Sequence, residues 1–199
     1  MSNHLYISDS HFGHRNIIGY CDRPFHSVSE MDGRMARLLL AAEERGRVFH
    51  LGDLTLDPPD RFFQRQGALF RDPSRHVLVA GNHDSVVGHR PAYAPLFGEV
   101  VGTEETWREN VRFVEDRARG RRYTLLLSHA PQEDLRGADL NLYGHHHNHF
   151  SRPPEEQHRP PPDWLRPGRY INVSCELLDY RPRTLEELFW LRDQGHVLL

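Results

Sequence analysis

The stretch HLYISDSHFGHRN, residues 4 to 16, opens with an apolar run and then places Asp9, His11 and His14 within six positions. A short run of Leu, Tyr and Ile bounded by polar residues reads as a buried strand, and this one stops where side chains able to bind metal begin. The pattern recurs along the chain. RVFHL (47 to 51) leads into Gly52 and Asp53, and HVLVA (76 to 80) leads into Gly81, Asn82, His83 and Asp84. YTLLLS (123 to 128) leads into His129, and LNLYG (140 to 144) leads into His145, His146 and His147. A sixth run, YINVS (170 to 174), is followed by Cys175 and Glu176, and Asn172 and Glu176 become candidates to support a site there.

Helical stretches separate several of these runs. In SVSEMDGRMARLLLAAEERG, Ser27 and Glu30 have the spacing of a capping box. Met31, Met35, Leu38, Leu39 and Ala42 recur at helical spacing, and Gly46 is placed to end the helix. DPPDRFFQRQGALF reads as a second helix, opened by Asp57 with prolines in its first turn, and RTLEELFWLRD as a third. VRFVEDRARGRRYTLLLS reads as a hairpin turning near Arg119 and Gly120. This alternation predicts an α/β layered domain with reactive groups on loops beyond the carboxyl ends of strands. One domain is expected over residues 1–199, with a proline-rich loop at 151–168 that could serve as a lid, and neither repeat nor linker is apparent.

Composition narrows the partners. No apolar run approaches the ~20 residues of a membrane span, and the first residues lack the basic start of a signal peptide, so a cytoplasmic protein is expected. Cys21 and Cys175 are too few for a disulfide framework. A formal charge of −3 gives no field that argues for nucleic acid by itself. All 25 cationic side chains other than histidine are arginine, each able to grip phosphate bidentately.

The chemistry follows from the donor types. If adjacent parallel strands bring their ends to one edge, two carboxylates, an amide oxygen and several imidazoles converge. Oxygen and nitrogen donors without thiolate suit Mn, Fe, Co, Ni or Zn better than Ca or Cu(I). There are more donors than one ion needs. Two ions about 3.5–4 Å apart would use them and activate a water for attack on phosphorus.

Asp-x-His, Gly-Asp, Gly-Asn-His-Asp, a lone His and Gly-His-x-His occur here in that order from residue 9 to residue 147. In this the sequence resembles the calcineurin-like metallophosphoesterases, and SDSHFGHRNIIGYCDRPF with NVSCE looks like a small bacterial and phage subgroup of them. The resemblance covers about three quarters of the chain and leaves out 85–122 and 150–169. It implies a layered β-sandwich flanked by helices and a two-metal phosphoesterase, with phosphodiesters slightly preferred over phosphomonoesters. Asp9, His11 and His147 would hold one ion, Asp53 would bridge, and Asn82, His129 and His145 would complete the second. Mn is the first candidate for both ions. The attacking group would be a metal-bridging hydroxide. His83 matches the family histidine that is not a ligand but faces the scissile phosphate, where it would stabilise charge or protonate the leaving oxygen.

His14, Arg15 and Arg23 follow the first motif closely and are candidates to bind the substrate phosphate. His146 should turn away from its neighbours in an extended segment, and His4, His26, His50, His76, His89, His158 and His196 have no motif around them. GDLTLDPPD offers no arginine until Arg61, unlike the protein Ser/Thr phosphatases of the superfamily. The expected substrate is therefore a phosphate ester such as a nucleotide or a nucleic-acid end, with no membrane and no obligate protein partner. A non-catalytic metal-dependent binding module and a histidine-rich metal-handling protein are the readings from other classes.

Overall fold

The computed structural model describes residues 3–57, 59–66, 69–84, 94–103, 105–152, 154–157, 160–196 and 198–199. His89 and His158 lie outside the described residues. The first sheet is built from β1 (His4–Ile7), β2 (Arg47–His50), β3 (His76–Val79) and β4 (Glu99–Val101), paired in that order and parallel throughout. The second contains β5 (Val111–Ala118), β6 (Arg121–Ser128), β7 (Leu140–Tyr143) and β8 (Tyr170–Asn172). In it β5 and β6 form the expected hairpin, and β6, β7 and β8 run parallel. Arg119 and Gly120 at the hairpin tip both have positive φ, as a I′ turn requires. Every strand expected from the sequence is present to within a few residues, and β4 is an addition too short to show periodicity.

Strand alternation divides the core. Tyr6, Phe49, Leu51, Val77 and Val79 of the first sheet meet Leu125, Leu127, Leu142, Ile171 and Val173 of the second in one buried cluster. On the opposite face of the first sheet, Leu5, Ile7, Val48 and Leu78 pack on Met31, Met35, Leu39 and Ala42 of the long helix. Each such side chain taken fully out of water contributes about 1.5–3 kcal/mol before chain entropy is counted. The second sheet's other face is closed by Leu126, Tyr143 and Tyr170 against Phe150 and Leu165, with Trp164 packed on them. The proline-rich segment is therefore anchored by two apolar side chains where it is described.

Among the described residues four helices complete the architecture: α1 (Ile17–Tyr20), α2 (Val28–Arg45), α3 (Pro59–Gln66) and α4 (Leu185–Asp193). Ser27 Oγ accepts from Glu30 N, but the Glu30 carboxylate reaches the backbone of His26 rather than Ser27, so the box expected there is displaced by one residue. Thr184 and Glu187 form the full reciprocal box at α4. Among the described residues, no helix is long and apolar enough to cross a membrane.

Candidate metal centre

The loops after β1, β2 and β3 meet the loops after β6 and β7, so the polar clusters come from the edges of two sheets rather than one. Asp9 N donates to Gly52 O (3.0 Å), His11 N to Asp53 O (2.9 Å) and Phe12 N to Leu54 O (2.9 Å), which zips the first two loops together. Asp84, 3% exposed, accepts from Gly81 N, Asp53 N and Leu54 N at 2.7–2.8 Å and ties the third loop to the second. Burial, reinforced by the nearby Asp53 charge, pushes its carboxyl up to about 6. From the other sheet, Gly144 N donates to His129 O, and His145 N donates to the Asp9 carboxylate.

Asp9, His11, Asp53, His145 and His147 all adopt positive φ, between 50° and 71°. That conformation is uncommon outside glycine, although Asp and His tolerate it better than most, and it concentrates at functional sites. β1 has ended at Ile7, so left-handed turns, rather than strand alternation, aim the Asp9 and His11 side chains. Close approach requires glycine at two neighbouring points, and Gly52 has positive φ as well. A Cβ on Gly52 would strike the His129 ring, and one on Gly144 would strike Ser8 Oγ and the Asp9 carboxylate.

The convergence predicted from the motifs is found in space. Suitable ligand atoms of Asp9, His11 and His147 lie within 4.8 Å of one another, as do those of Asp9, Asp53 and His129. Asp53 Oδ2 stands 3.5 Å from His11 Nε2, and its Oδ1 stands 3.4 Å from His129 Nε2. His129 Nε2 is also 3.0 Å from Asn82 Oδ1, and the His145 ring centroid is 5.1 Å from that of His129. His83, its side chain 42% exposed, points Nε2 toward Asp53 at 3.9 Å. A cavity of about 520 Å³ lined by His11, Asp53, Asn82, His83, His145 and His147 extends to His14, Tyr20 and Arg152.

The donor set fits metal ions. Both ring nitrogens of His11 are buried without a hydrogen-bond partner, an expensive condition that a cation relieves. His129 Nδ1 donates to Leu51 O at 2.8 Å, and His147 Nδ1 donates to Glu176 Oε1 at 2.9 Å. Each bond fixes the tautomer that leaves Nε2 bare. Without metal, burial pushes Asp53 up, but His129, through charge and hydrogen bond, and then His11 and His83 outweigh it, and the carboxyl ends well below its usual range. For His129 burial lowers the pKa, yet the Asp53 charge outweighs it and carries the imidazole up to about 9. His147 is likewise raised, burial being overcome by Glu176 and Asp9. His11 is held down by burial, and His145 is pushed down to about 3 by burial and by His129.

The supporting residues were only partly legible. Glu176 Oε1 accepts from Arg23 Nε at 2.9 Å and Nη2 at 2.6 Å as well as from His147. Arg23 also donates to Ser10 O and Asp9 O and is 4% exposed. That corrects the expectation that Arg23 meets substrate: its guanidinium is spent on the loop that carries Asp9 and His11. Arg15 lines a separate cavity with Ser27, Asp32 and Arg65, whereas His14 lines the one at the donors. Asn172 Nδ2 donates to His147 O, and the Ser174 hydroxyl lies 2.6 Å from Asn172 Oδ1 and 2.9 Å from Asp9 Oδ2. His146 also lines the cavity, with its ring 4.5 Å from that of Phe150. His50 and His76 form a buried pair at 3.1 Å beside Glu43.

The fold and site define a mixed α/β protein with two four-stranded sheets and a buried Asp/His cluster able to hold metal. The chain belongs to the family of the uncharacterized protein MJ1445 of Methanocaldococcus jannaschii, being 30% identical to it over 197 residues that span 96% of this chain and 92% of that one. The crystal structure of AQ665, a protein of unknown function from Aquifex aeolicus, has the same fold, with a TM-score of 0.61 at 24% identity over 96% of this chain and all of that one. No family model matches the chain.

Proposed function

We propose that this protein is a calcineurin-like metallophosphoesterase, a β-sandwich flanked by helices that hydrolyses phosphate esters, diesters in preference to monoesters. The observation that carries the reading is the split of Asp53. Its two oxygens face His11 on one side and His129 on the other, the disposition of a carboxylate that bridges two cations. Asp9, His11 and His147 would hold one ion and Asn82, His129 and His145 the other, with Mn first among Mn, Fe, Zn, Co and Ni. When bound, such a pair supplies positive charge for the phosphate and lowers the pKa of a water.

The chain's own residues do the rest. His83 reaches the cavity from the partly exposed side of the cluster and is placed to hand a proton to the departing oxygen. His14 lines the same cavity and can donate to a phosphate oxygen. Asp84 and the zipped loops hold Asp53 in one orientation, so little reorganisation accompanies reaction.

Assay of bis(4-nitrophenyl) phosphate and 4-nitrophenyl phosphate with Mn(II) tests the proposal. Turnover of the diester, lost in Asp53→Ala, supports it. Two tightly bound ions with no turnover of either ester would replace it with a metal-dependent binding module. Loose, variable stoichiometry would indicate metal handling.

A further inference from the structure

We infer that Tyr20 is a stacking platform for a nucleobase, so that the preferred substrate is a nucleoside phosphodiester. This rests on the phosphoesterase reading above and adds the substrate class. Tyr20 is 68% exposed, the most open of the large hydrophobic side chains among the described residues. A solitary exposed aromatic is ordinary on a protein surface. Two observations separate this one from Phe113 and Trp190, the other exposed large hydrophobics.

The first is place. Tyr20 lines the same cavity as His83, Asn82 and the histidines, whereas Phe113 and Trp190 do not. The ring lies two aromatic contacts from the donors: His11 and His14 have centroids 5.3 Å apart, and His14 and Tyr20 6.3 Å apart. A nucleoside carried by a phosphate at the cluster spans that interval. The second is the tie on its backbone. Tyr20 closes α1, and its carbonyl accepts from Arg152 Nη2 at 3.2 Å, while the same guanidinium nitrogen pairs with Asp22 at 2.8 Å. His14 stands at 77° to the Tyr20 ring in a T-shaped contact, and Tyr20 stays 68% exposed beside it. Asn148 and Arg152 line the same cavity. An aromatic face held at this distance from a phosphate site rewards a planar group over an alkyl one, because stacking needs a π-face and buries apolar area.

The test compares two diesters with one leaving group, thymidine 5′-(4-nitrophenyl phosphate) and methyl 4-nitrophenyl phosphate, with Mn(II). In both, water adds to phosphorus as the bond to 4-nitrophenolate breaks and a proton is released to solvent. The parent should favour the thymidine ester in kcat/KM by about tenfold or more. Tyr20→Ala should cut that preference by about tenfold, mainly through KM, and Tyr20→Phe should keep it. A preference that survives Tyr20→Ala, or is absent from the parent, overturns the inference. If neither ester turns over, the phosphoesterase reading fails and calorimetry decides the platform separately. Thymidine 5′-monophosphate must then bind the metal-loaded parent at least about tenfold tighter than methyl phosphate, with that advantage lost in Tyr20→Ala. Equal affinities overturn it.

Discussion

His147 donates its Nδ1 proton to Glu176 Oε1 over 2.9 Å, across 29 positions of sequence. The same oxygen takes Arg23, and burial of Glu176, which alone would raise its carboxyl, is overcome by His147 and Arg23, so the group stays ionised. A carboxylate behind a ligating imidazole fixes its tautomer and strengthens it as a donor. Glu176→Gln keeps an oxygen for both donors but removes the charge. Metal affinity at the Asp9, His11 and His147 set should fall about 10–100-fold. Calorimetric titration with Mn(II), on protein shown to be folded by circular dichroism, checks this.

Proton release should accompany metal binding. His129 in the metal-free protein is carried up to about 9 by Asp53 against the effect of burial, so it is protonated at neutral pH, yet a ligand imidazole must be neutral. Apparent affinity should therefore climb as pH rises toward 9. Titrations at pH 7 in buffers of different ionisation enthalpy should report proton release. The sign for stability is opposite. A raised histidine stabilises the metal-free fold below its unfolded pKa of about 6.5, and that contribution is lost as pH passes through about 9. Melting of the chelator-treated protein across this range measures it.

Asp53→Ala should abolish the proposed dinuclear site, because the two oxygens of this one side chain face His11 and His129. Elemental analysis after desalting should show loss of one or both ions, with esterase turnover down by at least about 10³-fold. Parent-like metal content and activity in this variant would end the two-metal proposal.

His83→Ala should separate catalysis from metal binding. The side chain is partly exposed and 3.9 Å from Asp53, outside the buried ligand groups. Turnover should drop about 10²–10⁴-fold with both ions retained, and the loss should be smallest for esters whose leaving group needs no proton. Loss of metal instead would make His83 a ligand.

Gly144→Ala should injure both stability and the centre. The added methyl meets Ser8 Oγ and Asp9 Oδ2, both on the buried loop that follows β1. A cost of about 1–3 kcal/mol in urea unfolding, with weakened metal binding, is expected.

Strands and donor residues were readable along the chain because both are local. Period-two burial places Tyr6 on one face of β1 and Leu5 and Ile7 on the other, and the polar residue types that follow each run mark its end. The resemblance carried by the ordered motifs is what named Asp9, His11, Asp53, Asn82, His129, His145 and His147. It did not give their geometry: five of them take positive φ, on loops that belong to two different sheets. Arg23 shows the limit most clearly. Beside CDRPF it read as a free cation for phosphate, but its carboxylate partner lies 153 positions away and the two are brought together only by packing. Sequence alone determined which donor types stand at the ends of the strands. The tertiary structure decided which of them face a ligand and which hold the others in place, because a buried charge takes its role from the opposite charge beside it in space.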